Sequence, residues 1–254
     1  MSRGTRNDSD RRLDEAGSAL AAPDDGPLKL AAPAVAPPRS EAELLSRVDA
    51  LAGSTLAELA GRHGLAVPAD QRRAKGFVGE LIERALGATA GSRPVPDFEA
   101  IGVELKTLPV RADGSPTEST YVCVAPVEGS TIGRWSDSPV RRKLNRVLWL
   151  PVQADPHLAL SERQIGSGLL WSPSPDEDAE LRADWEEIVE QIVLGRIDRI
   201  SAHQGRWLQL RPKAANASAR RWGVDETGAR TRTLPRGFYL RSSFTRSILR
   251  LHFI

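Results

Sequence analysis

The sequence predicts an α/β protein, a mixed sheet with helices around it. Three observations carry this. Short segments with strand character lie at about 101–109, 121–127 and 147–152. Between and around them lie amphipathic stretches opened by capping residues and closed by glycine, as helices are. Over 254 residues, 40% apolar content supplies enough side chains for a real core in one large domain or two small ones.

Residues 1–39 are rich in Ala, Pro, Asp and Arg without lasting periodicity, and are expected to be a disordered extension to a domain spanning 40–254. Ser40 and Glu43 form a capping box for a helix reaching about Ala52, and Thr55 with Glu58 opens a second, ending near Gly61. A third helix is expected from about Ala74 to Leu86. Phe77, Val78, Leu81, Ile82, Ala85 and Leu86 form its apolar stripe, and Glu83 lies almost opposite, near Gly76 and Gly79. A loop then delivers the chain to Asp97. Ile101, Val103 and Leu105 alternate with Gly102, Glu104 and Lys106, which predicts a strand. Tyr121–Val127 is apolar enough to lie centrally in a sheet.

Ser138-Pro139 begins a short helix bearing Arg141, Arg142, Lys143 and Arg146, followed by a strand at Val147–Val152. Ser174, Pro175 and Glu177 open a helix to Gly195. Leu181, Trp185, Ile188 and Ile192 are its apolar stripe, and its acidic face is expected to be solvated. Trp207–Lys213 alternates as a strand, 214–233 reads as a loop, and Gly237–Leu240 as a last strand. The final helix, about Ser242 to Phe253, has Phe244, Ile248, Leu249 and Leu251 as its apolar residues.

The net charge of +2 conceals an asymmetry. Residues 196–254 carry thirteen basic and three acidic side chains, whereas 40–195 carry sixteen basic and twenty-four acidic. A basic quarter of this kind suits a polyanion, since clustered cations bind phosphate by displacing counterions. A single cysteine, Cys123, excludes an internal disulfide and suits a reducing compartment. No apolar run approaches the ~20 residues that span a bilayer, and the N-terminus has no apolar secretory region. A cytoplasmic location is expected. No HExxH, CxxC or P-loop pattern occurs.

The chemistry centres on Asp97, then six residues, then Glu104-x-Lys106. Residues two apart on a strand share a face, so Glu104 and Lys106 point the same way. Two carboxylates and an ammonium can hold a Mg²⁺ and place a cation beside an attacking water. Acid…Glu-x-Lys also arises by chance in a chain with 27% charged residues. Spacing alone therefore leaves open both a metal-dependent phosphodiesterase centre and a charged strand edge.

From about Ser40 to the C-terminus the chain resembles the MutH family, the strand-discriminating endonucleases of methyl-directed DNA mismatch repair. The stretches that carry the resemblance occur in order: KGFVGELIERALGA (75–88), DFEAIGVELKTLPV (97–110), YVCVAPVEG (121–129), VRRKLNRVLWLPV (140–152), LLWSPSPDEDAELRADWEEIV (169–189), RPKAANA (211–217) and TLPRGFYLR (233–241). The resemblance implies a restriction-endonuclease-like fold of two subdomains with a DNA cleft between them. It implies Mg²⁺-dependent nicking of the unmethylated strand at hemimethylated GATC, 5′ of the G, by a monomer activated by MutL after MutS finds a mismatch.

On the same resemblance, Asp97 and Glu104 are metal-binding acids. Lys106 orients or deprotonates water and steadies the phosphorane charge. Glu83 is an auxiliary active-site acid, and Lys143 a further basic residue needed for cleavage. Lys75, Tyr121, Arg211, Pro212 and Lys213 are DNA contacts, Arg211 being suited to bidentate guanine readout, and Tyr239 lies near the adenine methyl position. Two other readings are a restriction-type enzyme cutting both strands at GATC and a DNA-binding module without catalysis.

Overall fold

The computed structural model describes residues 35–69, 76–91, 93–127, 132–213 and 220–253. Most of the expected N-terminal extension, and Lys75, lie outside the described residues. Residues 35–39 lie within them: Pro38 is buried and the carbonyl of Ala36 accepts a 2.7 Å bond from Arg47.

Helices α1 (Glu41–Leu51) and α2 (Leu56–Arg62) start at the expected caps. At α2 the box is reciprocal: Thr55 accepts from the Glu58 amide and Glu58 from that of Thr55. Helix α3 is Phe77–Leu86. Strand β1 (Glu104–Val110) pairs in parallel with β3 (Val147–Gln153), and β4 (Leu169–Trp171) adds to the far side of β3. Helix α4 (Pro139–Leu144) runs directly into β3.

A second sheet holds β2 (Thr120–Val124), β5 (Leu208–Pro212) and β8 (Arg236–Leu240), in the order β2-β8-β5. Helix α5 (Pro175–Val193) and helix α6 (Ser242–Phe253) are as expected. Strands β6 (Arg221–Val224) and β7 (Arg230–Thr233) form a two-stranded hairpin.

Four readings are corrected. The first strand begins at Glu104 and not near 101, because Glu99–Ile101 forms a 3-10 turn that Gly102 closes at φ 67. The apolar strand at 121 is an edge and ends at Val124; its apolar content reflects one face on the core, and the basic-flanked β8 is central. Within the expected 214–233 loop, 221–224 and 230–233 are strands: Arg-Thr-Arg-Thr pairs with Arg-Trp-Gly-Val about a turn closed by Asp225. Leu251 is 78% exposed and takes no part in the α6 stripe.

The β1-β3-β4 sheet lies between two apolar clusters, and strand alternation assigns residues to each. Val103, Leu105, Leu148, Leu150 and Val152 pack with α1, α2 and α3. Leu108, Val147 and Trp149 pack with α4, α5, α6 and the second sheet.

Candidate functional site

The 97–104 spacing is the length of a chain reversal. Phe98 is buried, and its amide donates to the Val103 carbonyl at 2.9 Å while that of Val103 returns a 3.3 Å bond. The reversal sets Asp97 beside the start of β1, where Asp97 Oδ2 accepts from the Leu105 amide at 2.9 Å. Parallel pairing adds the next group. Glu104 is in register with Val147, and Lys143 lies at the end of the helix leading into that residue.

Glu104 is almost fully buried, at 1% exposure. Lys106 Nζ donates to its Oε1 at 2.5 Å, and Lys143 Nζ to Oε1 and Oε2 at 2.8 and 2.9 Å. A buried carboxylate needs such partners, because an uncompensated charge in low dielectric is costly. The same-face placement of Glu104 and Lys106 holds.

Asp97, Glu104, Lys106, Lys143 and Glu83 all line one cleft of about 550 Å³. The 93–96 loop, Tyr121, Cys123 and Arg142 form other parts of its wall. Burial raises the Glu83 carboxyl to about 7, and the negative charge of Asp97 adds to the rise. Asp97 is raised above its ordinary value by burial and then by Glu104. These three acids therefore share one crowded field. Helical periodicity alone would give Glu83 to solvent; the structure half-buries it on the cleft wall. Burial also pushes the Cys123 thiol up to about 12, which keeps it neutral and fits a small core residue.

The other predicted contacts assemble on the second sheet. Tyr121 pairs with Tyr239, which pairs with Gln209, and Arg211 pairs with Gly237. These residues and Lys213 occupy one face, while Leu208, Leu210, Phe238 and Leu240 point into the core. The Tyr121 and Tyr239 rings meet edge-on, with centroids 5.3 Å apart. Lys213 Nζ lies 3.0 Å from the Tyr121 ring centre, and the Arg211 guanidinium 5.6 Å from that of Tyr239. Pro212, exposed, falls on the opposite face by alternation. Tyr121 belongs to both groups, since it also lines the cleft.

Two positioning residues were not singled out from the sequence. Gln209 is buried under this face and donates to Ser119 Oγ at 2.8 Å. The alternation of 207–213 placed it there, but nothing marked its partner. Asp184, on the supposedly solvated face of α5, is buried and accepts from the amides of Arg206, Trp207 and Leu208 at 2.7, 2.7 and 2.8 Å. It fixes the start of β5, the strand that carries Arg211. Its signal was available: it lies one residue before Trp185 of the apolar stripe.

The family description "DNA mismatch repair enzyme MutH" matches residues 86–184. The chain is 52% identical over 222 residues to the DNA mismatch repair protein MutH of Citrobacter koseri, covering 87% of this chain and 96% of that protein. It is 51% identical to the protein of that name from Escherichia coli O6:K15:H31, with 87% and 97% covered. It is 53% identical to that of Salmonella paratyphi B, with 87% and 96% covered.

Proposed function

The chain belongs to the MutH family, the DNA mismatch repair endonucleases, and we propose that it nicks the unmethylated strand at hemimethylated GATC sites, 5′ of the G, using Mg²⁺. The observation that carries this reading is the gathering of Glu83, Asp97, Glu104, Lys106 and Lys143 around one cleft that shares Tyr121 with the Arg211–Tyr239 surface. Cleavage groups and reading groups thus adjoin. The mixed α/β architecture with two apolar clusters is compatible with the restriction-endonuclease-like fold of two subdomains that we propose, with the duplex in the cleft.

The residues fit a Mg²⁺. Among the described residues no group of three His, Cys, Asp or Glu side chains already forms a metal cage. Mg²⁺ does not require one, because it takes one or two carboxylates together with phosphate oxygens and water. Asp97 and Glu104 would hold it, and the unfavourable field on Glu83 and Asp97 is what a divalent cation relieves. When bound, the ion supplies Lewis acidity and a template for the phosphate.

The remaining work falls to side chains. Lys106, as an ammonium, orients a water molecule toward the phosphorus and steadies the negative charge that develops on the phosphorane. Lys143 balances negative charge beside Glu104, and Glu83 supports the cluster from α3. Arg211 reads a guanine by paired donors, a contact of ~1–3 kcal/mol. We further propose that the enzyme acts as a cytoplasmic monomer and is switched on by MutL after MutS has located a mismatch.

Nicking of unmethylated, hemimethylated and fully methylated GATC duplexes, with MutL, ATP and Mg²⁺, tests the reading. Efficient cutting of fully methylated DNA would contradict it. Strong double-strand cutting without MutL would favour a restriction enzyme. A Tyr239→Ser variant should lose discrimination between hemimethylated and fully methylated sites more than general affinity. Equal loss on all substrates would remove Tyr239 from methyl sensing.

The raised acids give a pH prediction. Metal-free Glu83 has its pKa lifted from 4.5 to about 7. A carboxyl raised on folding is protonated more readily in the folded state, so its contribution to stability falls as pH rises between those two values. Binding of Mg²⁺ should therefore strengthen from pH 6 to pH 8 and release protons. Calorimetric titrations in two buffers of different ionisation heat measure this. Affinity independent of pH, with no proton release, would refute the coupling.

A further inference from the structure

The β6–β7 hairpin presents groups that the cleavage site does not use. Trp222 lies opposite Arg232, and Arg230 follows on the same face. Trp222 is 48% exposed. The Arg232 guanidinium lies 4.6 Å from its ring centre and that of Arg230 5.0 Å. Both arginines are exposed, and neither forms an ion pair among the described residues.

The hairpin's acids are engaged elsewhere. Asp225 closes the turn, accepting from the amides of Thr227 and Ala229. Glu226 pairs with Arg196 and Arg199. The outward face is therefore cationic.

The hairpin is also braced. Gly195 (φ 70) passes so close to the Asp225 backbone that a Cβ would meet its carbonyl at 2.2 Å. Thr233 donates to Asp198 at 2.7 Å, and Gly223 is buried over Val127. Cations held over a ring on a fixed hairpin lose little freedom when they bind an anion.

Position completes the case. On the inner face, Arg221 lines a cavity of about 460 Å³ together with Arg142. Cys123, Val124, Pro139 and Arg142 are walls of both this cavity and the cleavage cleft. A basic line thus continues from Lys143 through Arg142 to Arg221 on the inner face of the hairpin, whose outward face carries Arg230 and Arg232.

We propose that Trp222, Arg230 and Arg232 form a second duplex contact, which grips the sugar–phosphate backbone beyond the recognised site. Trp222 is the platform that aims the two guanidiniums. The proposal rests on the DNA-cleaving reading above and extends the footprint that reading implies.

Equilibrium binding of the full chain, without Mg²⁺, to duplexes of about one and about three helical turns, with and without GATC, tests it. R230A/R232A should bind the long duplexes roughly tenfold more weakly at physiological salt, and its slope of log K against log salt should flatten by about 2. The loss should be the same with and without GATC and absent on the short duplex. R230K/R232K should retain the slope, and nicking should keep its methylation preference.

An unchanged slope in R230A/R232A, with methyl-directed nicking intact in the wild type, overturns the hairpin proposal alone. A loss that R230K/R232K shares overturns its phosphate-contact basis. A wild type without methylation preference, whose slope still falls on R230A/R232A, sinks the GATC reading and supports the backbone contact.

Discussion

Replacing Glu104 by Ala is expected to lower the nicking rate by about 10³-fold or more while duplex affinity stays within a few-fold of wild type. Glu104 is the group on which Lys106 and Lys143 both converge, so its loss removes a proposed metal ligand and releases two ammonium groups at once. Those cations remain in the cleft and still attract phosphate, so binding and cleavage should separate. Lys106→Ala should show the same split, since it removes the proposed water-orienting group and leaves Glu104 its bonds to Lys143. Single-turnover nicking alongside equilibrium binding measures both. A Glu104→Ala variant that nicks at the wild-type rate would mean that the cleavage centre lies elsewhere.

The second large effect is expected far from the cleft. Asp184→Ala strands three backbone amides, those of Arg206, Trp207 and Leu208. A buried donor left without a partner costs ~1–3 kcal/mol, and water reaching the opened site offsets part of the sum. A net loss of roughly 3–5 kcal/mol is the expectation, of the order found when one member of a buried charged network is removed. Because the tether fixes the start of β5, affinity for the proposed GATC site should weaken as well, whatever its methylation, through displacement of Arg211. Urea unfolding followed at the tryptophans gives the first quantity. A loss below about 1 kcal/mol would show that these amides find other partners.

The parts of this protein that were legible in its sequence are those governed by local rules. Caps at Ser40, Thr55, Ser138 and Ser174 marked four helix starts, because a side-chain oxygen satisfying an orphan amide is a short-range device. The pairing of Glu104 with Lys106 followed from two-residue periodicity. What was not legible depends on which strands become neighbours. Lys143 reaches Glu104 only through the parallel register of β1 and β3, and no periodicity contains that register. Tyr121, Arg211 and Tyr239 meet because β8 inserts between β2 and β5. The β6–β7 hairpin lacks a local signal because its strands are short and charged, and the contacts that order it, their mutual pairing and the bond from Thr233 to Asp198, join residues that no periodicity links. Glu83 needed more than its helix face, since the wall it joins is built by residues 93–106.

The sheet wedged between the two apolar clusters has a consequence for how the molecule melts. Leu148 and Leu150 belong to one cluster, Val147 and Trp149 to the other, and all four are on a single strand. Neither cluster can come apart without stripping a wall from its neighbour. Two cores that share a strand should therefore unfold as one cooperative unit, with a single transition in place of two, which calorimetry would check. Glu104 and Lys106 ride on the strand paired to that shared wall. A cavity opened in α1 or in α6, on opposite sides of the protein's interior, should loosen the same few residues.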